Sequence, residues 1–272
     1  MINNSKILVG VSLTLIASAA LADGDYFSPT DERVALSLGV VHLSSATSMR
    51  VDNSAGTAGT TFNGESDLGL DSSDVEPKFE AAVRTGGTTR LFFDYFSLDR
   101  SDTKVLASGP AAYGDVVLLA GDPVQTDLNL RVFGVGFGHS FLHFEKFELT
   151  GIIAINDTEL NSSVRVQSAT RHVYDSQSLA GPFPTPAIAL TWAPFRHFYF
   201  DANAKYMKIS VDHLSGTLSV YDADVFYRIH PNVALALGYS DTRVNLVSRQ
   251  QADQGAFVLE SKGPELFLRV AF

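Results

Sequence analysis

The chain has 272 residues, with 20 Lys and Arg against 30 Asp and Glu, and a formal net charge of −10 at neutral pH. This acidic balance argues against nucleic acid as a partner, because a negative surface repels a polyanion. The chain contains no Cys, so its stability comes from the fold itself without disulfides.

The first residues have the features of a secretory signal peptide. Lys6 precedes an apolar run from Ile7 to Ala17, and Ala20 and Ala22 have the spacing of a cleavage site. The run is shorter than the roughly 20 apolar residues that a membrane-spanning helix requires. We therefore expect residues 1–22 to be removed on export and residues 23–272 to form a single domain.

The remainder of the sequence alternates between apolar and polar residues, which is typical of β-strands. Residues 74–85 show the alternation most clearly, because apolar side chains occupy the odd positions and charged side chains occupy most of the even positions. Gly86 and Gly87 then mark a tight turn into the next strand. The alternation and the turns together predict ten strands, at about residues 32–44, 74–85, 89–104, 125–140, 144–165, 183–194, 197–212, 214–229, 232–248 and 255–272.

Short turns and longer polar connections follow one another in this scheme. The longer connections are predicted at residues 44–73, 101–125 and 161–182, with two shorter ones near Ser215 and Gln251. An even number of strands places both chain ends on one side, as in barrels with short periplasmic turns and longer outer loops. Eight or 12 strands also fit, because the alternation changes around Phe133 and the connection before residue 125 contains apolar residues.

The pattern predicts an all-β fold, a transmembrane antiparallel up-and-down β-barrel. A closed barrel satisfies every backbone hydrogen bond in lipid while apolar side chains face outward. A soluble secreted β-protein would show the same alternation, but the export signal and the aromatic residues near the strand ends favour the membrane barrel. Two aromatic belts are predicted, one with Tyr206, Tyr221 and Tyr239, and one beside the short turns with Trp192, Phe195, Tyr227 and Phe272.

The last ten residues, GPELFLRVAF, resemble the carboxy-terminal strand of bacterial outer-membrane barrels. Leu266, Leu268, Val270 and Phe272 share one face. With the segments DLGLDSSD and DYFSLDR, this ending resembles a group of uncharacterised proteobacterial outer-membrane barrel proteins, small and porin-like. The resemblance implies a Gram-negative outer-membrane location, contact with membrane lipid and lipopolysaccharide, and recognition of the last strand by the barrel assembly machinery. It implies no particular activity.

Charged residues on the polar face of the strands are expected to line the lumen. Their signs balance, which predicts mutual pairing, and a barrel of about ten strands lies near the size that side chains can fill. A structural ionic core and a narrow pore for small polar solutes both fit this composition. The predicted lumen residues are Arg33, Glu76, Lys78, Glu80, Arg84, Asp94, Arg131, Glu148, Asp201, Lys205, Asp222, Asp224, Arg228 and Arg269.

Known barrel enzymes provide two patterns against which the sequence can be compared. Omptin proteases place an aspartate pair opposite an aspartate–histidine pair, each pair spaced by one residue. The nearest candidates are Asp99 with Asp102, three apart, and Asp212 with His213, which are adjacent. Adjacent side chains on a strand point to opposite faces, so neither pair has the required geometry.

The second enzyme pattern is the histidine–serine pair of lipid A deacylases. His139 and Ser140 are adjacent, whereas a nucleophile and its base on one strand must share a face. No catalytic residue is therefore predicted. An acidic segment also offers carboxylates for a cation, but it lacks the spacing of an EF-hand, and no metal site is predicted at Glu65, Asp67, Asp71 and Asp74.

The sequence thus predicts an outer-membrane barrel with a structural or narrow-pore role, a charged lumen and acidic outer loops. No cofactor is expected, and small polar solutes are candidate ligands. Two other functions remain open: a surface interaction protein of the adhesin or receptor type, and an outer-membrane hydrolase such as an omptin-like protease or a lipid A-modifying enzyme.

Overall fold

The computed structural model describes residues 28–168, 170–211, 214–249 and 254–272, so the predicted signal peptide lies outside it. The described residues contain a short 3-10 helix, Pro29–Asp31, and no helix long and apolar enough to cross a membrane. All other regular structure is β-strand. The strands are β1 (Val34–Val51), β2 (Thr61–Asn63), β3 (Ser73–Arg84), β4 (Thr89–Val105), β5 (Ala111–Tyr113), β6 (Val116–Leu118), β7 (Pro123–Phe144), β8 (Phe147–Gln167), β9 (His172–Trp192), β10 (Phe198–Val211), β11 (Leu214–His230), β12 (Val233–Ser248) and β13 (Gly255–Ala271).

Ten of these strands form a closed antiparallel barrel, which confirms the predicted fold. Each long strand pairs with the next along the chain, and β13 returns to pair with β1. The closing ladder runs from Ala35 opposite Ala271 to Val51 opposite Gly255. Pairing of β1 with β13 removes the two open edges that a flat sheet of the same strands would have.

The barrel has two unlike ends. We call the end with the short turns at residues 85–88, 145–146, 193–197 and 231–232 the base, and both described chain ends lie there. We call the opposite end the rim. The rim carries two long connections, residues 52–72 with β2 and residues 106–122 with the small β5–β6 hairpin.

Several strands extend further towards the rim than predicted. β1 continues to Val51, and β9 begins at His172, eleven residues before its predicted start. The predicted long connection at residues 161–182 is therefore wrong, because β8 and β9 pair continuously as far as Gln167 opposite His172. These extensions are rich in Ser and other small or polar residues, which gave the sequence the composition of a loop.

The barrel wall changes character along its axis. Towards the base, apolar side chains such as Phe137 and Ile153 are exposed on the outer surface, and charged side chains are turned inward. Towards the rim, the inner surface is apolar, with Leu128 and Val164 fully buried, and the outer surface is polar. The rim part of the barrel therefore resembles a soluble protein, and the base part is inverted relative to it.

This inversion explains the apparent changes of alternation in the sequence, which are not bulges. β7 pairs with β8 without a break from Val124 to Ser140, and β12 pairs with β13 without a break across its whole length. The alternation of side chains therefore continues past Phe133. What changes is the face of the wall that carries the apolar residues, which is the outer face towards the base and the inner face towards the rim.

Candidate functional site: the barrel interior

Twelve of the fourteen residues predicted to line the lumen lie on the inner face or in its ion pairs. The two others were placed wrongly. Arg131 is exposed on the outer face of β7, opposite Glu159 of β8, because the strand keeps its alternation past Phe133. Arg33 precedes β1 and is exposed at the base.

Ion pairs cross the interior at the base. Glu32 receives two guanidinium groups from different strands, with Oε1 3.1 Å from Arg228 Nη2 and Oε2 2.6 Å from Arg269 Nη2. Arg269 also lies 3.3 Å from Asp201 Oδ2. The ring of Tyr199 lies beneath the guanidinium of Arg228, 5.3 Å from its centre. One carboxylate and one ring thus connect β10, β11 and β13.

A second group at the base surrounds Glu148. Its carboxylate lies 3.0 Å from Arg84 Nη2 and 2.6 Å from Arg90 Nη2, and accepts a 2.6 Å hydrogen bond from Ser140 Oγ. Glu148 is almost fully buried, as is Arg90. A buried carboxylate is stable only when such partners satisfy it, so Glu148 joins β3, β4, β7 and β8 at this level.

Further from the base, a layer of charges divides the interior. Lys78 Nζ lies 3.0 Å from Asp222, 3.0 Å from Glu265 and 3.4 Å from Glu80. These contacts connect β3 with β11 and β13. Lys205 of β10 lies 3.0 Å from Asp94 of β4, on the opposite side of the barrel.

The charge layer separates two chambers. The chamber nearer the base has a cavity volume of about 130 Å³ and is lined by charges and small residues, including Ala35 and Ala189. The upper chamber, nearer the rim, has a cavity volume of about 100 Å³, and its walls are mainly aliphatic and aromatic. Glu80, Asp94 and Lys205 face both chambers. The interior is therefore a sequence of distinct compartments.

The two long connections close the rim by packing into the barrel. Phe62, Leu68, Tyr113 and Leu118 are buried and belong to one apolar cluster with the inner faces of the strands. The Tyr113 hydroxyl lies 2.8 Å from Ser162 Oγ.

Arg100 holds the first long connection from within. Its guanidinium donates to Thr47 Oγ1 at 2.7 Å and to Glu65 Oε1 at 2.8 Å. Glu65, which the sequence offered as a cation ligand, is thus bound to an arginine. The described residues contain no group of three or more His, Asp or Glu side chains that could hold a metal.

The other candidate residues do not converge. His139 is exposed on the outer face of β7, while Ser140 is buried and bound to Glu148. Asp99 and Asp102 are both exposed. Asp212 and His213 lie outside the described residues.

Sequence reasoning missed four members of the interior network: Glu32, Arg90, Arg100 and Glu265. Glu265 shares the inner face with Arg269, four residues later, so the alternation of β13 could have identified it. Arg90 is likewise four residues before Asp94 on β4. Glu32 falls in the first predicted strand, where the alternation that turns Arg33 inward turns Glu32 outward, but β1 begins only at Val34.

The chain is similar in fold to a solved outer-membrane barrel protein. The chain superposes on the outer membrane protease OmpT from Escherichia coli with a TM-score of 0.57, 10% identity, and coverage of 90% of this chain and 98% of that one. The attachment invasion locus protein Ail of Yersinia pestis gives 0.35 at 10% identity, covering 87% and 97%. The toluene transporter TodX of P. putida gives 0.37 at 8% identity, covering 89% and 90%. No protein-family model and no curated protein matches the sequence. The likeness to OmpT shows a shared fold.

Proposed function

We propose that this protein is a bacterial outer-membrane barrel with a closed lumen, in which the interior charges form a structural core. The observation that carries the proposal is that carboxylates accept cations from several strands across the interior. Glu32 and Glu148 do so at the base, and the acids around Lys78 do so at the charge layer. A wide aqueous pore would leave such charges separated by water.

The outer surface supports a membrane location. Phe137, Ile153 and Leu237 are more than half exposed, in a band that surrounds the base part of the barrel. A soluble protein does not tolerate an apolar band of that extent, whereas lipid covers it. Tyr206 and Tyr239 lie at the upper limit of the band, as interfacial aromatic residues do.

This band fixes the orientation that we propose. The base, with its short turns, faces the periplasm, and the rim extends beyond the outer leaflet among the lipopolysaccharide head groups. Leu266 and Leu268 of β13 lie within the band, and Phe272 follows at the base. They remain our candidates for recognition by the barrel assembly machinery.

Single-channel recording in a planar bilayer tests the closed lumen. The protein is refolded into lipid, its folded state is verified by a heat-dependent gel shift, and a 16-stranded porin in the same lipid serves as the positive control. We expect no steady conductance steps from the folded protein. Reproducible openings that change when Lys205 is replaced by Met would contradict the proposal and indicate a charge-lined pore.

A further inference from the structure

The wall of the barrel is incomplete between β9 and β10. The ladder that joins them runs only from Phe200 opposite Trp192 to Lys205 opposite Ala187. β9 continues to pair with β8 beyond that point, up to His172 at the rim. Residues 182–186 of β9 and residues 206–208 of β10 therefore border a gap in the hydrogen-bonded wall, which we call the seam.

Three prolines in β9 account for the seam. Pro182, Pro184 and Pro186 occupy alternate positions, so the N–H groups that they lack would all point to the same neighbouring strand. The ladder with β8 passes these positions without a break, so the missing donors are those directed at β10. The ladder with β10 ends at Ala187, immediately before the first position that could not donate.

Side chains close the seam from the inside. Phe183, Thr185 and Met207 are buried, and Thr185 Oγ1 lies 3.9 Å from Met207 Sδ. On the outside, Tyr206 is exposed at the upper limit of the apolar band. In the proposed orientation, Tyr206 places the seam at the level where the membrane surface meets the rim. A seam that is closed only by side chains can open when their rotamers change, without the loss of a backbone ladder.

The upper chamber lies directly behind the seam. Phe183 and Met207 line both, and the remaining wall is largely apolar, with Leu130, Val220 and Leu259 among its residues. The cavity has a volume of about 100 Å³ and is elongated enough to touch every barrel strand, a space for a slender organic group. Apolar walls of this kind accept a hydrocarbon chain, since its burial is favourable.

One end of the chamber holds a buried hydrogen-bond acceptor, Asn156 Oδ1, that lacks a donor in the described part of the chain, next to the carboxylate of Asp94, which is paired with Lys205. Asn156 is buried, and its Nδ2 donates to Thr185 Oγ1 at 2.6 Å, while that hydroxyl can donate to Phe183 O at 3.3 Å. This arrangement fixes the amide, and Asn156 Oδ1 has no donor among the described residues. A Cβ atom on Gly134 would lie 2.5 Å from this oxygen and 2.5 Å from Asp94 Oδ1, so both acceptors converge above that glycine. An unsatisfied buried acceptor is costly, and a donor on a ligand would satisfy it.

The cations at this end are already engaged. Lys205 is paired with Asp94, and Lys78 is surrounded by three carboxylates. A ligand carboxylate or phosphate would therefore find no cation without an ion pair being broken, and it would face the acids Glu80 and Asp222. An ammonium or a hydroxyl would instead find acceptors.

We propose that the upper chamber binds a single-chain amphiphile whose polar end is a hydrogen-bond donor, an ammonium or a hydroxyl, and that this ligand enters through the seam between β9 and β10. The chain fills the apolar walls, and the polar end lies against Asn156 and Asp94. The direction of access rests on the membrane orientation proposed above. The binding site itself does not depend on whether the lumen conducts ions.

Photo-crosslinking in lipid nanodiscs tests the site. Dodecylamine, dodecanol and dodecanoic acid, each with a diazirine in the chain, are added to the protein, and the labelled residues are mapped by mass spectrometry. We expect the amine and the alcohol to label the chamber, and the acid to do so at least about tenfold less. Thr242→Trp fills the chamber and should remove this labelling. Arg243→Trp, on the outer face of the same strand, should not.

A disulfide across the seam tests the route. The natural chain has no Cys, so Thr185→Cys with Met207→Cys introduces a single pair. Oxidation should lower chamber labelling about tenfold, and a reductant should restore it.

Labelling confined to the outer surface, equal for all three probes, or unchanged by Thr242→Trp would overturn the site. Labelling unaffected by the disulfide would overturn the route. A folded protein that neither conducts nor is labelled refutes this inference alone, and one that is labelled but conducts refutes only the closed lumen.

Discussion

Leu130 and Phe133 lie on the same strand, three residues apart, and face opposite sides of the barrel wall. Leu130 is 2% exposed and packs inward, whereas Phe133 is 49% exposed on the outer surface. Between them the wall changes from an apolar interior to an apolar exterior, without a change of register. In the orientation proposed above, this pair marks the upper limit of the membrane on β7.

The inversion predicts different tolerances for charge along the outer face of β7. Phe137→Arg places a charge in the apolar band and should destabilise the barrel by about 2–4 kcal/mol. Asn129→Arg, on the same face at the rim, should change stability little. Urea unfolding in lipid vesicles measures both, and equal effects of the two substitutions would contradict the proposed membrane limit.

The carboxylate of Glu148 is expected to stabilise the base. Glu148→Gln removes the charge that Arg84 and Arg90 share, and leaving buried cations without a carboxylate should cost about 3–5 kcal/mol. Glu145→Gln changes an exposed residue of the adjacent turn and serves as the control. The temperature at which the heat-dependent gel shift reports unfolding should fall for Glu148→Gln only. An unchanged unfolding temperature for Glu148→Gln would show that the negative charge of Glu148 does not stabilise the buried arginines.

The docking of the β5–β6 hairpin should depend on Tyr113. Tyr113→Phe removes the hydrogen bond to Ser162 and should weaken docking by about 1 kcal/mol. Hydrogen exchange in residues 106–122 should become faster, while exchange in the barrel strands should not change. Tyr174→Phe alters an exposed tyrosine and provides the control. Identical exchange in the two variants would contradict the assigned role.

The same tyrosine predicts a dependence on pH. Burial raises the pKa of Tyr113 to about 12, whereas an exposed tyrosine has a pKa of about 10. The undocked hairpin therefore loses its proton first, so docking is fully favoured below about pH 10 and weakens as the pH rises towards 12. Absorbance at about 295 nm should show a late-titrating component that is missing from Tyr113→Phe. A titration that is the same in both proteins would exclude a buried Tyr113.

The prolines of β9 should control the width of the seam. Pro184→Ala with Pro186→Ala restores two N–H donors directed at β10, so the ladder should extend towards the rim. Hydrogen exchange should then slow at Tyr206 and Lys208, which continue the register opposite residues 186 and 184, and chamber labelling by dodecylamine should fall. Pro123→Ala, at the first residue of β7, should have neither effect. Faster exchange at Tyr206 would contradict the role given to the prolines.

Strand count and closure could be predicted because they depend on local pattern. Alternation over residues 74–85 and the turn at Gly86 and Gly87 identify a hairpin without knowledge of the rest of the chain. The early start of β9 could not be predicted in this way. Its first residues carry Ser and Gln, and only the pairing with β8 shows that they continue a strand.

The candidate site was predictable only in part, because local pattern shows which way a side chain points but not which side chain it meets. Inner-facing charges such as Lys78 follow from alternation, but their partners depend on which strands meet across the lumen. Arg131 was misplaced because alternation alone does not reveal where the apolar residues change from the outer face to the inner face. Predicting the seam requires the sequence of β9 and the identity of both neighbouring strands, and only the structure supplies the neighbours.

The most direct test of the membrane barrel is cysteine scanning along β7 with a membrane-impermeant maleimide, which the absence of natural Cys makes possible. Single Cys variants at Asp127, Asn129, Phe133, Val135, Phe137, Leu128 and Leu130 are reconstituted in vesicles. We predict rapid labelling at positions 127 and 129, protection by lipid at 133, 135 and 137, and protection by the interior at 128 and 130. Equal labelling at all the outward positions, 127 to 137, would show that water surrounds the whole barrel and would contradict the membrane assignment.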